Sequence, residues 1–149
     1  MSENEKKKEI CEELVNQFEE SEVQIISKIQ KKIIYKNGDI YKGEWKNGKK
    51  DGKGIYIYYN DKKFEGVFKE DKIFEGKGYT YYENRDIYNG EIKNGMKNGK
   101  GKIIYNNGNE YEGEWKNDKK NGEGCLEYIN EQDKFKGEFE NDIEKNGEG

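Results

Sequence analysis

A mostly β fold is the class this 149-residue sequence predicts: an elongated single-layer array of five stacked antiparallel β-hairpins preceded by an N-terminal amphipathic α-helix. Three observations carry that expectation. A short unit of aromatic, any residue, glycine, any residue and a large apolar residue returns five times at a spacing of 23 or 24 residues. All nineteen glycines lie at or after Gly38, which places a compositional boundary near residue 31. Ahead of that boundary, apolar residues recur at helical spacing.

The first element is the segment 1–31. Ile10, Leu14, Phe18, Ile25 and Ile29 form the apolar stripe, with Cys11, Val15 and Ile26 beside them and Glu and Lys elsewhere. Glu19-Glu20-Ser21-Glu22 interrupts the stripe. Ser21 with Gln24 has the spacing of a capping box, so a break into two helices near Ser21 is also compatible with the pattern.

The second element is the array 32–149. Its units are YKGEW at 41, FEGVF at 64, YNGEI at 88, YEGEW at 111 and FKGEF at 135, each followed by a second glycine pair, from Gly52-Lys53-Gly54 to Gly147-Glu148-Gly149. In a strand, Tyr41, Gly43 and Trp45 share one face while Lys42 and Glu44 share the other. Lys36-Asn37-Gly38-Asp39 is a hairpin turn signal of the Asn-Gly kind. Stacking the hairpins predicts three core columns. One holds Tyr35, Tyr58, Tyr82, Tyr105 and Tyr128, the next Tyr41, Phe64, Tyr88, Tyr111 and Phe135, and the last Trp45, Phe68, Ile92, Trp115 and Phe139. Leu, Ile, Val and Phe together make only 27 of the 149 residues, so twelve tyrosines and two tryptophans must supply the buried area. The Gly-Lys-Gly elements read as turns, and the array is expected to stop at Gly149 before a closing strand.

This unit resembles the MORN repeat (membrane occupation and recognition nexus) family, whose pattern is roughly Y-x-G-x-x-x-x-G-x-x-x-G-x-G. Residues 38 to 149 follow it over five copies, with YKGEWKNGKKDGKG and YEGEWKNDKKNGEG the nearest to it. Val67 departs from the usual acidic residue, and KEDKIFEG and ENDIEKNG are one residue long in their loops, as is the turn between Tyr128 and Phe135. The resemblance implies a protein- or membrane-interaction module, and some relatives join such repeats to an enzyme domain.

Composition removes several chemistries. With no histidine in the chain, catalytic triads, Cys-His pairs and most zinc or haem sites lack a member. Cys11 and Cys125 stand far apart in unlike contexts, which fits two free thiols in a reducing compartment. None of the Gly-Lys-Gly elements has the form of a phosphate loop, and Asn117 to Gly122 lacks the acidic residue that a calcium loop needs. No carboxylate pair has an apolar setting that separates its pKa values, and Glu44, Glu91, Glu114 and Glu138 recur by position as cross-strand or solvated groups. No catalytic residue, cofactor or metal is therefore expected. The N-terminus is charged where a secretory signal is apolar, and no run reaches roughly 18 apolar residues, so a cytoplasmic chain, or one peripheral to membrane or cytoskeleton, is expected.

Two surfaces remain as candidates. Lysine-rich loops carrying Lys49, Lys50, Lys97 and Lys100 are expected along one edge, where anionic phospholipid headgroups would gain up to about 1 kcal/mol per basic residue. The sheet face opposite the aromatic columns repeats apolar residues, Ile34, Ile57, Tyr81 and Ile104, with Ile55 and Tyr79 nearby, until Glu127 breaks the series. A solvated face has no reason to do so, and a helix of this chain or a protein partner is expected to cover it. The sequence thus predicts a non-enzymatic scaffold or adaptor for another protein, with a phospholipid-binding peripheral module as the alternative.

Overall fold

The computed structural model describes residues 29–130 and 133–148. The expected N-terminal helix, and with it Cys11, lies outside the described residues. Within them the chain is one open antiparallel sheet in which each strand pairs with its neighbours in sequence. Its eleven strands are β1 (Ile29–Ile34), β2 (Ile40–Lys46), β3 (Lys49–Ile57), β4 (Lys63–Lys69), β5 (Lys72–Tyr81), β6 (Ile87–Lys93), β7 (Met96–Ile104), β8 (Glu110–Lys116), β9 (Lys119–Glu127), β10 (Lys134–Glu140) and β11 (Ile143–Glu148).

This corrects the expected count of five hairpins in three respects. β1 takes in Ile29, Gln30 and Lys31, which the amphipathic pattern assigns to the helical segment. The Gly-Lys-Gly elements are not turns but lie inside β3, β5, β7 and β9, so the supposed lysine-rich loops are mostly strand. The last copy does close, with β11 paired on β10. What joins β2 to β3 is Asn47-Gly48 alone, with φ of 52° and 74°. Positive φ at both central residues makes the tight hairpin turn whose twist matches that of the strands, and Asn-Gly suits it best. The same turn is made at Asn94-Gly95, Asn117-Asp118 and Asn141-Asp142, and at Glu70-Asp71 with φ of 48° and 71°. The longer turns beginning at Tyr35, Tyr58, Tyr82, Tyr105 and Tyr128 join the other ends, so the chain is a continuous meander.

A row of glycines crosses the whole sheet. Gly43 faces Gly54, which faces Gly66, which faces Gly76; after a step of two residues, Gly78 faces Gly90, and the row continues through Gly101, Gly113, Gly124 and Gly137 to Gly147. The step falls in the second copy, whose extra residue after the turn brings the first glycine of its pair rather than the second opposite Gly66. The row exists because rings lie on it. The Tyr111 hydroxyl donates to the Glu114 carbonyl at 2.9 Å, and Tyr41 and Tyr88 do the same to Glu44 and Glu91. A Cβ at Gly124 would collide with the Tyr111 Oη.

The second and third predicted columns make most of the core, with Trp45 in the first copy and Phe135 in the last only half-buried against it. Tyr41, Phe64, Tyr88 and Tyr111 are fully buried, Phe68, Ile92, Trp115 and Phe139 nearly so, with Ile103 and Leu126 alongside. The rings meet edge to face: Tyr88–Trp115 at 5.7 Å, Trp115–Tyr111 at 5.0 Å and Tyr111–Phe139 at 5.0 Å form one chain, and Tyr41–Trp45 at 5.5 Å and Tyr41–Phe68 at 5.1 Å belong to another. The first column is not core in the same sense. Tyr35, Tyr82, Tyr105 and Tyr128 are half-buried where the long turns begin, packed against the buried cluster.

Trp115 is 4% exposed and its indole N–H donates to the Gly101 carbonyl at 3.1 Å. Truncating it to alanine should lower stability by about 3 kcal/mol or more, read from denaturant unfolding. Gly113→Val should be destabilising by about 2 kcal/mol or more, because its Cβ would meet Gly124 Cα at 2.5 Å and the Glu123 carbonyl at 2.6 Å. A Gly113→Val protein that melts with the wild type would remove the close-packed glycine row.

Candidate functional site

Of the four lysines expected to line an edge for lipid, two are engaged inside the sheet. Lys50 on β3 sits across from Trp45, and its Nζ lies 5.6 Å from the ring centroids of Tyr35 and Tyr56 and 5.9 Å from that of Tyr41. The same ammonium is 3.5 Å from the Asp71 carboxylate in the turn of the next copy, and the side chain is only 14% exposed. Lys97 repeats this with Tyr82 at 5.0 Å, Trp115 at 5.2 Å and Asp118 at 3.3 Å, and is 13% exposed. Lys120, outside the expected four, completes the set with Tyr105, Tyr111, Phe139 and Asp142. Each ammonium therefore stacks on rings while a carboxylate balances its charge. Only Lys49 and Lys100 of the expected four have exposed side chains.

The aspartates also clasp successive copies through the backbone. The Asp71 carboxylate accepts the Lys50 N–H at 2.8 Å while the Asp71 N–H donates to the Lys50 carbonyl at 2.9 Å. Asp118 with Lys97, and Asp142 with Lys120, make the same pair. At the opposite edge, buried Asp39 accepts from the Tyr56 hydroxyl at 2.7 Å and the Tyr59 N–H at 2.9 Å, and Asp86 accepts from the Asn106 N–H at 2.9 Å. The recurring glutamates have a local role. Glu44, Glu91 and Glu114 each accept the N–H of a residue in the bulged part of the next strand, Lys53, Lys100 and Glu123, at 2.7, 2.6 and 2.9 Å. In Glu138's copy the extra residue changes the register between Glu138 and Phe139.

The opposite face also keeps apolar surface exposed. The alternation of β1 to β7 brings Ile34, Ile55, Ile57, Tyr79, Tyr81 and Ile104 to it, together with Ile40 and Ile87, which pair directly with Ile57 and Ile104. The last two were legible as cross-strand partners from the repeat spacing. Ile34 is 66% exposed, Ile104 39% and Tyr81 38%; Ile55, Ile57 and Tyr79 are half-buried. Part of that burial is internal. Tyr81 stacks on Tyr58 at 4.6 Å and accepts from the Asn60 amide at 2.8 Å, and Lys62 lies over Tyr79 at 5.0 Å. The stripe ends at β8 and β9, where Glu110 faces Glu127.

Cys125 is a free, half-buried thiol on the same face. Among the described residues no group of three or more Cys, Asp and Glu side chains comes together as metal ligands, and no helix is long and apolar enough to cross a membrane.

The tyrosines that build the core also carry the clearest titration signature. Burial pushes the phenols of Tyr41, Tyr58, Tyr82 and Tyr105 up to about 12 from the ordinary 10.0, with neighbouring carboxylates or phenols adding to it. Tyr56, Tyr88 and Tyr111 are raised as well, first by burial and then, for Tyr56, by its hydrogen bond to the Asp39 carboxylate.

The MORN repeat family model matches residues 41–62, 88–110 and 111–131. The two copies outside the match, beginning at Phe64 and Phe135, are those with the extra residue after the turn and the altered bulge register. No curated protein matches the chain.

Two outcomes follow from this geometry. The fold holds the phenols neutral, whereas in the unfolded chain they ionise near pH 10. Their contribution to stability should therefore be complete below pH 10 and be lost as the pH rises through about 12, measurable as a falling melting temperature across that window. Removing the Asp118 clasp by Asp118→Ala should destabilise by about 1–2 kcal/mol, because it strips a charge-assisted bond and places alanine at a φ of 68°. Asp118→Asn keeps an acceptor and a residue tolerant of that φ, and should lose less; equal losses for the two would assign the effect to charge alone.

Proposed function

We propose that this chain of MORN repeats is a non-enzymatic scaffold or adaptor that binds another protein through the sheet face bearing Ile34, Ile55, Ile57, Tyr79, Tyr81 and Ile104. The observation that carries the reading is the exposed apolar stripe on a face that the aromatic core does not need. An antiparallel sheet with one solvated face alternates apolar-in and polar-out; apolar residues on the second face are spare area, available to a partner. The repeats extend this area along the array, so a partner would be met by a long ribbon rather than a pocket. The absence of histidine from the sequence and the structural duties found for the recurring glutamates support a role without catalysis. Its partner is a protein, it needs no cofactor, and it works in the cytoplasm, where its thiols stay reduced.

MORN repeats serve generally as protein- or membrane-interaction modules, so a lipid surface is the competing partner. It ranks second because Lys50 and Lys97 already hold internal aspartates and rings. Lys49 and Lys100 are left, on a chain with a formal net charge of -4.

Capture from native lysate should depend on the stripe: Ile34→Lys with Ile104→Lys, at two exposed positions, should abolish recovery of whatever the wild type retains, with the melting temperature unchanged. Binding to vesicles containing anionic phospholipid should be weak at low salt and vanish at 0.5 M salt or on Lys49→Glu with Lys100→Glu. Tight vesicle binding that survives both, alongside lysate capture indifferent to the stripe, would reverse the order of the two readings.

A further inference from the structure

Between the second and third copies the aromatic face is short of atoms. Four positions lose bulk there together. Ile73 faces Phe68, where Lys50 faces Trp45 and Lys97 faces Ile92. Thr80 faces Tyr88, where Tyr56 faces Phe64, Ile103 faces Tyr111 and Leu126 faces Phe135. Ile92 is the one member of its column without a ring, standing between Phe68 and Trp115. Gly95 takes the turn position that is Asp71, Asp118 and Asp142 in three other copies. Together they leave a pocket of about 540 Å³ whose walls include Phe68, Ile73, Thr80, Tyr82 and Ile92.

We propose that this pocket receives the side chain of a tyrosine or tryptophan from a protein partner. The occupant is selected first by the rings around it. Edge-to-face contacts run from Trp45 through Tyr41 and Phe68 to Phe64 on one side, and from Tyr88 through Trp115, Tyr111 and Phe139 to Phe135 on the other. At Ile92 the two series are parted, and among the described residues no ring joins Phe68 to Tyr88. A ring seated there from outside would continue the packing used along the rest of the face. Charge selects a neutral group. In the neighbouring copies an ammonium on the rings is balanced by an aspartate, and here both members of the pair are replaced at once. On the rim, Lys50 and Asp71 already hold each other at 3.5 Å and Lys72 is exposed to solvent, so a charged occupant would lose water without gaining a counter-ion. Last, the Thr80 hydroxyl oxygen is buried with no hydrogen-bond partner among the described residues, and a phenol O–H or indole N–H entering beside Thr80 supplies one. An aromatic residue seated in a pocket is the usual anchor of a protein interface. This anchor point lies on the face opposite the stripe and does not depend on it.

Phenol is the probe, and isotope-labelled isoleucine methyl groups in the full chain read its position by NMR. Titrated phenol should shift the methyl resonances of Ile73 and Ile92 and leave those of Ile34, Ile57 and Ile104 in place. Cyclohexanol, alike in size and also carrying a hydroxyl, should bind at the same two methyls with a Kd about fivefold larger, because it has no ring edge or face to offer. Ile92→Phe puts a ring into the gap from within and should abolish the shift at Ile73. Thr80→Ile, which copies Ile103, should weaken phenol binding by about tenfold at an unchanged melting temperature, as a filled pocket without its hydroxyl requires. The capped peptide acetyl-Gly-Tyr-Gly-amide should shift the same two methyls, and acetyl-Gly-Leu-Gly-amide should not. No shift at Ile73 and Ile92, equal Kd values for phenol and cyclohexanol, or phenol binding that survives Thr80→Ile and Ile92→Phe overturns the proposal. A response to phenol with none to the tyrosine peptide overturns a protein as the source of the ring. Ile34→Lys with Ile104→Lys, which tests the stripe, should leave the phenol titration unchanged, so the two readings fail separately.

Discussion

The ring of a tyrosine laid flat over paired glycines is the contact on which this array depends. A single-layer sheet has no second layer to bury its apolar face against, which ordinarily leaves such a sheet unstable. Here the layer is supplied from within. Tyr41, Tyr88 and Tyr111 fold down onto their own sheet, anchor their hydroxyls on the carbonyls of Glu44, Glu91 and Glu114, and stack edge to face with the large residues of the neighbouring copy. Any Cβ in the row would collide with backbone or ring, so the glycines are fixed by packing rather than by a need for loop flexibility.

Everything at the edges serves to hold successive copies in that register. Each copy meets only its neighbours, as in other repeat arrays, and stability is then a sum of local units and their interfaces. The aspartate clasp at the tight turns and the Asp39 and Asp86 bonds at the long turns each cross from one copy to the next. The second copy departs from the pattern throughout. Ile73 stands where the other copies place Lys50 and Lys97, Gly95 stands where they place an aspartate, and the glycine row steps by two residues there. Gly95 keeps only the backbone half of the clasp, donating to the Phe74 carbonyl at 2.8 Å. The substitutions are concerted: with the ammonium gone, a buried-edge carboxylate would have no partner, and Ile73 packs instead against the buried cluster.

The consequence for function is a division of labour between faces. The fold uses much of the aromatic face, including Lys50, Lys97 and Lys120, which on charge count alone look free for a headgroup. The opposite face carries the exposed apolar stripe of Ile34, Tyr81 and Ile104.

The sequence alone determined the repeat, its period and the strand phase, because the alternation of aromatic, glycine and aromatic is itself the physical requirement of the packing; Tyr41, Phe64, Tyr88 and Tyr111, with Phe68, Ile92, Trp115 and Phe139, are buried as that alternation demands. It also located the stripe at Ile34, Tyr81 and Ile104, since period two places those residues opposite the rings. Only the tertiary structure decided the rest. Strand ends depended on pairing: the Gly-Lys-Gly elements look like turns in isolation, yet glycine here answers a neighbour's ring across the sheet, which local sequence does not contain. The eleventh strand and the stepped row follow from registers set by bulges, and a bulge is a relation between two strands. The fate of Lys50, Lys97 and Lys120 was likewise out of reach of composition, because the carboxylate that holds each one lies 21 or 22 residues further along, brought near only when the next copy stacks.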